Sequence, residues 1–478
     1  MAESIGHSIE RKAFDMAITN AIKHVNQDRA KYMIKYLNLA EKALGGQWKP
    51  QAFERMRNVF RNPDSKWMQY TNRMFDNVDP KVIKMSALNL GYEAGFRGFK
   101  KTIAEREKCG CDIPWILLFD PTSACNLRCT GCWAAEYGHT KSLSNEDMDS
   151  IVTQAEALGI HAFLLTGGEP LMRKYDIIDL CRKHNHSAFM AFTNGTLIDD
   201  EFCKAAVKVG NFVPAVSLEG FQPENDARRG QGSFDKVMKA FDIMKANKMM
   251  FGTSICYTSA NYKTVTSDEF LDMIIDKGVM FTWYFHYMPV GNDAATSLML
   301  NPEQREYMYH RVREIRAYEG GKSIMAVDFQ NDGEYVSGCI AGGKYYCHIN
   351  PNGDVEPCVF IHYSNANIHE KTLLECLQQP IFKEYQKAQP FNDNKLRPCP
   401  MLENPECLQK IVKASGAKST DMDSPEDVEH LCAKCVNYSK EWAPVADKLW
   451  SEYHFERDKA GDAAFKKELK EKKKAGKA

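Results

Sequence analysis

At 478 residues the chain is too long for one ordinary domain, and 44% hydrophobic with 26% charged residues is the balance of globular proteins, not of disordered or fibrous ones. A formal net charge of −1 excludes bulk electrostatic attraction to nucleic acid. No run of about 18 apolar residues occurs and the opening MAESIGHSIERKAFDM lacks an apolar core, so neither a membrane-spanning helix nor a signal peptide is expected.

The implied setting is a reducing cytoplasm. There the 16 cysteines are expected as metal ligands, catalytic thiols or buried apolar residues in preference to disulfides. Residues 1–108 read as all-helical. FDMAITNAIKHV and RAKYMIKYLNLAEKAL carry apolar residues at three- and four-residue spacing, and Gly45-Gly46 stops the second. VIKMSALNLGYEAGFRGFKKTIAERE continues the helical text despite its glycines. This region holds 20 Lys and Arg against 12 Asp and Glu, an excess that suits a solvated helical face or an anionic partner or membrane surface.

From Pro114 short apolar runs alternate with amphipathic ones. Strands are predicted at WILLFD (115–120), HAFLLTG (161–167), SAFMAFTNG (187–195), FVPAVSLEG (212–220), MFGTSICY (250–257) and MFTWYFHYM (280–288). Helices are predicted at 144–158, 172–184, 199–208, 233–247 and 264–277, with Ser144 as an N-cap before an acidic first turn. Such alternation means parallel strands joined by right-handed crossovers, in a doubly wound sheet or a barrel segment. In both, chemistry belongs at the C-terminal ends of the strands.

After about residue 325 the alternation stops, and Cys339, Cys347, Cys358, Cys399, Cys407, Cys432 and Cys435 fall in text rich in Pro, Asn and Gly. This predicts a loop-rich domain held by metal in place of a large core. NPNGDV (350–355) signals a hairpin turn, and the tail from Lys466 reads as frayed.

SACNLRCTGCW (123–133) places Cys125, Cys129 and Cys132 in the loop after the first strand, at the catalytic end of the sheet. Spacing alone leaves open a disulfide knot, a zinc site needing a further ligand such as His139, or a three-thiolate iron–sulfur cluster. Further motifs arrive in order along the chain. TGGEP (166–170) comes after the second strand, TNGTL (193–197) ends the third and SLEG (217–220) ends the fourth; NDARRGQGSF (225–234) and TSAN (258–261) come next. Through this set, roughly residues 112–300 resemble the radical S-adenosylmethionine (radical SAM) enzymes.

The resemblance implies an α/β fold with a partial (β/α)6 TIM-like barrel. It also implies a [4Fe–4S] cluster on Cys125, Cys129 and Cys132, whose open iron binds S-adenosylmethionine. Gly167, Gly168 and Glu169 correspond to the turn that holds the amino group of that cofactor. Asn194, Ser217 and Arg229 fall where the family places polar groups near its ribose and carboxylate. The residue types suit these roles: paired glycines let backbone approach a ligand, and an ionised Glu169 only accepts hydrogen bonds, as an ammonium requires. One departure is Gly131, where many family members carry an aromatic residue; Trp133 is a substitute cover or a packing residue.

CIAGGKYYCHINPNGDVEPC (339–358) resembles the SPASM/twitch extension of these enzymes, which carries auxiliary iron–sulfur clusters, although the compact downstream four-cysteine run is missing. The expected auxiliary ligands are Cys339, Cys347, Cys358 and Cys399, with the CxxC pair Cys432 and Cys435 as the alternative clamp. Cys109, Cys111, Cys181, Cys203, Cys256 and Cys376 are expected as inert buried thiols, and His161, His184 and His186 as structural. The expected division is a helical region at 1–108, the barrel at 109–325, a SPASM-like domain at 326–455 and a charged tail at 456–478. The expected activity is hydrogen abstraction from a peptide, lipid or small metabolite by a 5′-deoxyadenosyl radical, fed by a low-potential donor of ferredoxin or flavodoxin type. An anionic peptide or lipid suits the basic first region, and no nucleic acid is expected. A non-catalytic iron–sulfur carrier or scaffold is the rival from another class, and needs neither TGGEP nor SLEG.

Overall fold

In the computed structural model residues 5–44 and 50–453 are described; Gly45-Gly46 and the charged tail lie outside them. Nine strands form one sheet: β1 Ile116–Phe119, β2 Ala162–Leu165, β3 Ala188–Thr193, β4 Phe212–Ser217, β5 Gly252–Tyr257, β6 Phe281–His286, β7 Met325–Asp328, β8 Tyr346–Ile349 and β9 Val355–Glu356. Their order is β7-β6-β5-β4-β3-β2-β1-β8-β9, parallel throughout except the β8–β9 hairpin. β1 to β6 are the six predicted strands, each lying within its predicted run.

Between them run Asn145–Leu158, Lys174–Lys183, Asp200–Val209, Ser233–Ala246 and Asp268–Asp276. Ser144 and Asp147 form a reciprocal capping box on the first, and left-handed Gly159 ends it. Strand alternation separates two faces. Phe163 and Phe189 stack at 5.2 Å on the helix side, while Leu164, Phe192, Ser217, Ser254, Cys256, Trp283 and Phe285 line a cavity on the other.

The sheet does not end where the alternation of the sequence ends. β7 extends it beside β6, and β8 of the cysteine-rich segment pairs in parallel with β1, Cys347 opposite Leu117. The expectation of a loop-rich second domain is also corrected. Helices Pro380–Ala388, Pro405–Ser415 and Val428–Tyr453 bury Phe382, Ile411, Leu431 and Trp442 in the same apolar core as the strands. Burial of such side chains stabilises by roughly 1.5–3 kcal/mol each, so this segment is packed onto the barrel through a shared apolar core. Arg305 welds the last helix to the barrel: fully buried, it pairs with Glu403 at 2.6 Å, donates to Tyr438 Oη and stacks 4.3 Å from the Trp442 ring.

The first region is helical, as predicted, with Ala87–Gly98 wound as a π-helix between Pro80–Ser86 and Phe99–Cys109. A Cβ on Gly98 would meet the Gly159 carbonyl oxygen at 2.4 Å, so glycine permits this helix to touch the barrel backbone. Among the described residues no helix is long and apolar enough to cross a membrane.

Glu93, fully buried on the π-helix, accepts from His7 (3.0 Å) and Arg11 (2.5 Å) of the first helix. Burial pushes its carboxyl up, but these partners outweigh that and hold it below the usual carboxylate range. Glu93→Ala strands the Arg11 charge and is expected to cost about 3 kcal/mol locally, read as earlier proteolytic release of the first helix; unchanged cleavage contradicts this anchoring.

Candidate functional site

The cavity on the inner face of the sheet opens at the C-terminal strand ends. It is lined by Cys125, Cys129 and Cys132 together with Gly167, Gly168, Glu169, Asn194, Ser217 and Arg229. Every residue expected at the first site therefore borders one space.

The loop carrying the three cysteines is pinned on all sides. Leu127 N–H donates to Cys125 Sγ at 3.5 Å, and Thr130 N–H donates to the Arg228 carbonyl at 2.9 Å. Asn126 donates to Thr196 and accepts from Asn194, both at 2.8 Å, tying the loop to the segment after β3. Beneath it, Gly167 (φ +104°) and Gly168 press against its backbone: a Cβ on Gly168 would lie 2.3 Å from the Ser123 carbonyl oxygen. The paired glycines thus first serve loop-to-turn approach.

Glu169 is 1% exposed. Its carboxylate accepts from Leu171 N–H (2.9 Å), Thr193 Oγ1 (2.6 Å) and Asn194 N–H (2.7 Å), leaving an acceptor position on Oε2. Burial pushes its pKa up against the pull of these three bonds. Glu219, from SLEG, binds both Arg228 (2.7 Å) and Arg229 (2.5 Å) through Oε1, while its Oε2 is buried without a hydrogen-bond partner. Arg229 Nη1 reaches 3.9 Å from Cys129 Sγ. Burial carries the Cys125 thiol to about 11 and also raises Cys132.

Four features needed the structure to resolve them. Gly131 has φ +65°, and a Cβ there would lie 2.6 Å from the Tyr287 ring. Tyr287, from beyond β6, fills the space a side chain at 131 needs, which accounts for the glycine; only long-range packing reveals this. Cys256, expected as an inert core thiol, lines the cavity, two residues after Ser254 on the same face of β5. Glu219 and Arg228 form a pair that the motif showed only as text. Trp133 both borders the cavity and packs edge-on against His348 and Phe360. His139, the alternative zinc ligand, instead faces the Ser123 carbonyl at 3.2 Å.

The second cysteine group divides. Cys339, Cys358 and Cys399 line one cavity, next to the first. Tyr346 Oη donates to Cys358 Sγ at 2.6 Å. Cys347 is not brought there: one position along β8 it faces the opposite side, where its electrostatic neighbour is Cys376. Strand parity forbids Tyr346 and Cys347 from sharing a face. The fully buried Tyr385 phenol instead feels Cys339, Cys358, Cys399 and Cys432, and these thiols with burial push it well up. Cys432 and Cys435 lie one turn apart on Val428–Tyr453.

Comparison with known proteins agrees with this architecture. The radical SAM superfamily model matches residues 119–275, and the SPASM iron–sulfur cluster-binding domain matches residues 339–435. Fe-coproporphyrin III synthase of Methanosarcina barkeri is 25% identical over 231 residues, covering 46% of this chain and 57% of that protein. Mycofactocin maturase MftC of Mycolicibacterium smegmatis is 26% identical over 292 residues, covering 57% of this chain and 69% of that one. The chain thus spans little more than half the length of the first relative. Streptococcus suis SuiB bound to S-adenosylmethionine superposes with a TM-score of 0.52 at 20% identity, over 62% of this chain and 73% of that chain.

Fold and matches together define an α/β barrel-type iron–sulfur protein. Residues 119–275 thus form a radical SAM domain, a domain type that binds a [4Fe–4S] cluster and S-adenosylmethionine, and residues 339–435 a SPASM domain, a type that binds auxiliary iron–sulfur clusters.

Behind the cysteine loop His348 is fully buried between Asp120 (3.0 Å) and Glu356 (2.8 Å). Burial pulls its pKa down, but the two carboxylates outweigh this and carry it up to about 10. A group raised from 6.5 in this way stabilises fully below pH 6.5 and loses that contribution as pH rises through 10. The melting temperature is expected to fall more steeply between about pH 7 and 10 in wild type than in His348→Gln; parallel slopes contradict the buried charge.

Proposed function

We propose that this chain cleaves S-adenosylmethionine reductively and abstracts a hydrogen atom from a substrate, with Cys125, Cys129 and Cys132 as the cluster ligands. The observation that carries this reading is that these three thiols share one cavity with the GGEP turn and the ends of β3 and β4. The donor set fits the group: soft thiolates suit iron–sulfur clusters, and the Gly168 backbone leaves no room for a side chain.

Held by Cys125, Cys129 and Cys132, such a cluster would, when reduced, supply the electron for reductive cleavage of S-adenosylmethionine. The chain's own residues bind and orient. The spare acceptor on Glu169 Oε2 suits the ammonium of S-adenosylmethionine, with Gly167 and Gly168 beneath it. Asn194 and Ser217, at the strand ends, suit hydroxyl and carboxylate groups. Arg229, steered by Glu219, sets its guanidinium 3.9 Å from Cys129 Sγ. The first reductant is a low-potential ferredoxin or flavodoxin. The relatives keep several substrate classes in view: a SuiB structure holds its precursor peptide SuiA, while other relatives are named haem synthases.

For the auxiliary group, Cys339, Cys358 and Cys399 share one cavity, and the CxxC pair on the last helix, with Cys432 as the first choice, offers the further thiolate in place of Cys347. Two experiments test these assignments. Cys129→Ala is expected to reduce 5′-deoxyadenosine formation from S-adenosylmethionine and dithionite to background; full formation contradicts the reading. Cys432→Ser is expected to remove about four irons per chain from the reconstituted protein while Cys347→Ser retains them; the reverse restores Cys347 as ligand.

A further inference from the structure

The first cavity does not end at the cofactor-facing residues. It adjoins the second, and Trp283, Met288, Phe329, Ile340, Tyr346 and Phe360 border both. The passage between the two cysteine groups is therefore walled by aromatic and aliphatic side chains contributed by β6, β8 and the segments after β7 and β9.

Ser217 and Ser254 border the first cavity and Gln330 and Tyr335 the second, and the charged groups beside the passage are paired. Arg228 and Arg229 are both held by Glu219. Asp328 accepts from Tyr257 Oη at 3.0 Å and Asn331 Nδ2 at 2.8 Å, and Asp332 is paired with Arg316 at 2.6 Å. His286 has both ring nitrogens occupied, by the Tyr287 carbonyl and by Tyr438 Oη. Among the described residues, the buried side-chain polar atoms that border the two cavities without a partner are Arg228 Nε, Trp283 Nε1 and Tyr385 Oη. A peptide main chain brings one donor and one acceptor per residue, and burying them here would leave most unmade. Beyond the S-adenosylmethionine groups at Glu169, Asn194 and Ser217, a further carboxylate or ammonium would meet no unpaired counter-charge in this apolar space.

From this we infer that the group on which the chain acts is an uncharged hydrocarbon, seated in the aromatic passage between the two cysteine cavities. Any charged or polar part of the substrate stays at the mouth. The inference rests on the radical SAM reading: a C–H bond of the hydrocarbon breaks homolytically, its hydrogen atom passes to the 5′ carbon to give 5′-deoxyadenosine, and a carbon-centred radical remains on the substrate. Phe192, Trp283 and Phe285 hold the chain or ring by dispersion and exclude water from that radical.

The test uses the full-length, anaerobically reconstituted protein with S-adenosylmethionine and dithionite, and two perdeuterated probes: n-decanol and a glutamate-rich hexapeptide. Deuterium is expected in 5′-deoxyadenosine from decanol, at least tenfold above that from the peptide. Transfer from the peptide and none from decanol overturns the inference. A second readout needs no turnover: 1-aminoanthracene fluorescence, with decanol displacing the dye. Phe285→Glu is expected to weaken dye binding at least tenfold and Phe285→Leu less than threefold, with circular dichroism confirming that both fold. Equal dye binding by Phe285→Glu overturns the apolar site. Absence of 5′-deoxyadenosine under every condition sinks the radical SAM reaction instead, and dye displacement by decanol then still upholds the ligand class.

Discussion

One buried carboxylate fixes the relation between the cysteine loop and the rest of the barrel. Glu169 gathers donors from its own turn and from the end of β3, while its backbone N–H donates to the Ala124 carbonyl beside Cys125. Three consecutive strand ends are thereby locked at one level. The glycines before it let the turn lie flush against the loop, and Asn126 closes the ring from the other side. An open site on loops is only as precise as its supports, and here they are hydrogen bonds to buried, capped backbone.

The same logic carries outward to the second cysteine group. Parallel pairing of β8 with β1 brings Tyr346 and His348 beneath the first loop, so the two cysteine groups share one sheet. The Arg305–Glu403 pair then sets the position of the residues just after Cys399 and of the helix that carries Cys432. A buried ion pair is weak evidence of net stability, but it specifies register, and register is what a multi-element site needs.

The strands and their crossovers were legible because each strand is a short apolar run closed by a turn signal, and because Ser144 and Gly159 mark helix ends locally. The motif order placed every proposed first-site residue. The features that stayed hidden depend on contacts distant in sequence. β8 is a short piece of cysteine-rich text paired with a strand from the far side of the barrel sequence, Tyr346 opposite Ile116, so no local pattern announces it. Cys347 satisfied the spacing yet lost on strand parity, which a loop-like reading cannot see. Gly131 read as a departure until the Tyr287 ring accounted for it. Two of the helices after residue 370 were hidden by the prolines at their starts; Pro380 and Pro405 stand at first helical positions, where proline is favoured.

All of this chemistry requires that the cavity beside Cys125, Cys129 and Cys132 bring S-adenosylmethionine onto an iron that no protein thiolate occupies. Electron–nuclear double resonance on the reduced, reconstituted protein measures this directly, with the cofactor labelled with 15N in its amino group and 17O in its carboxylate. Resolved hyperfine coupling from both nuclei to the cluster spin is the predicted result. A cluster spectrum unaltered by the cofactor, with neither coupling, would contradict it.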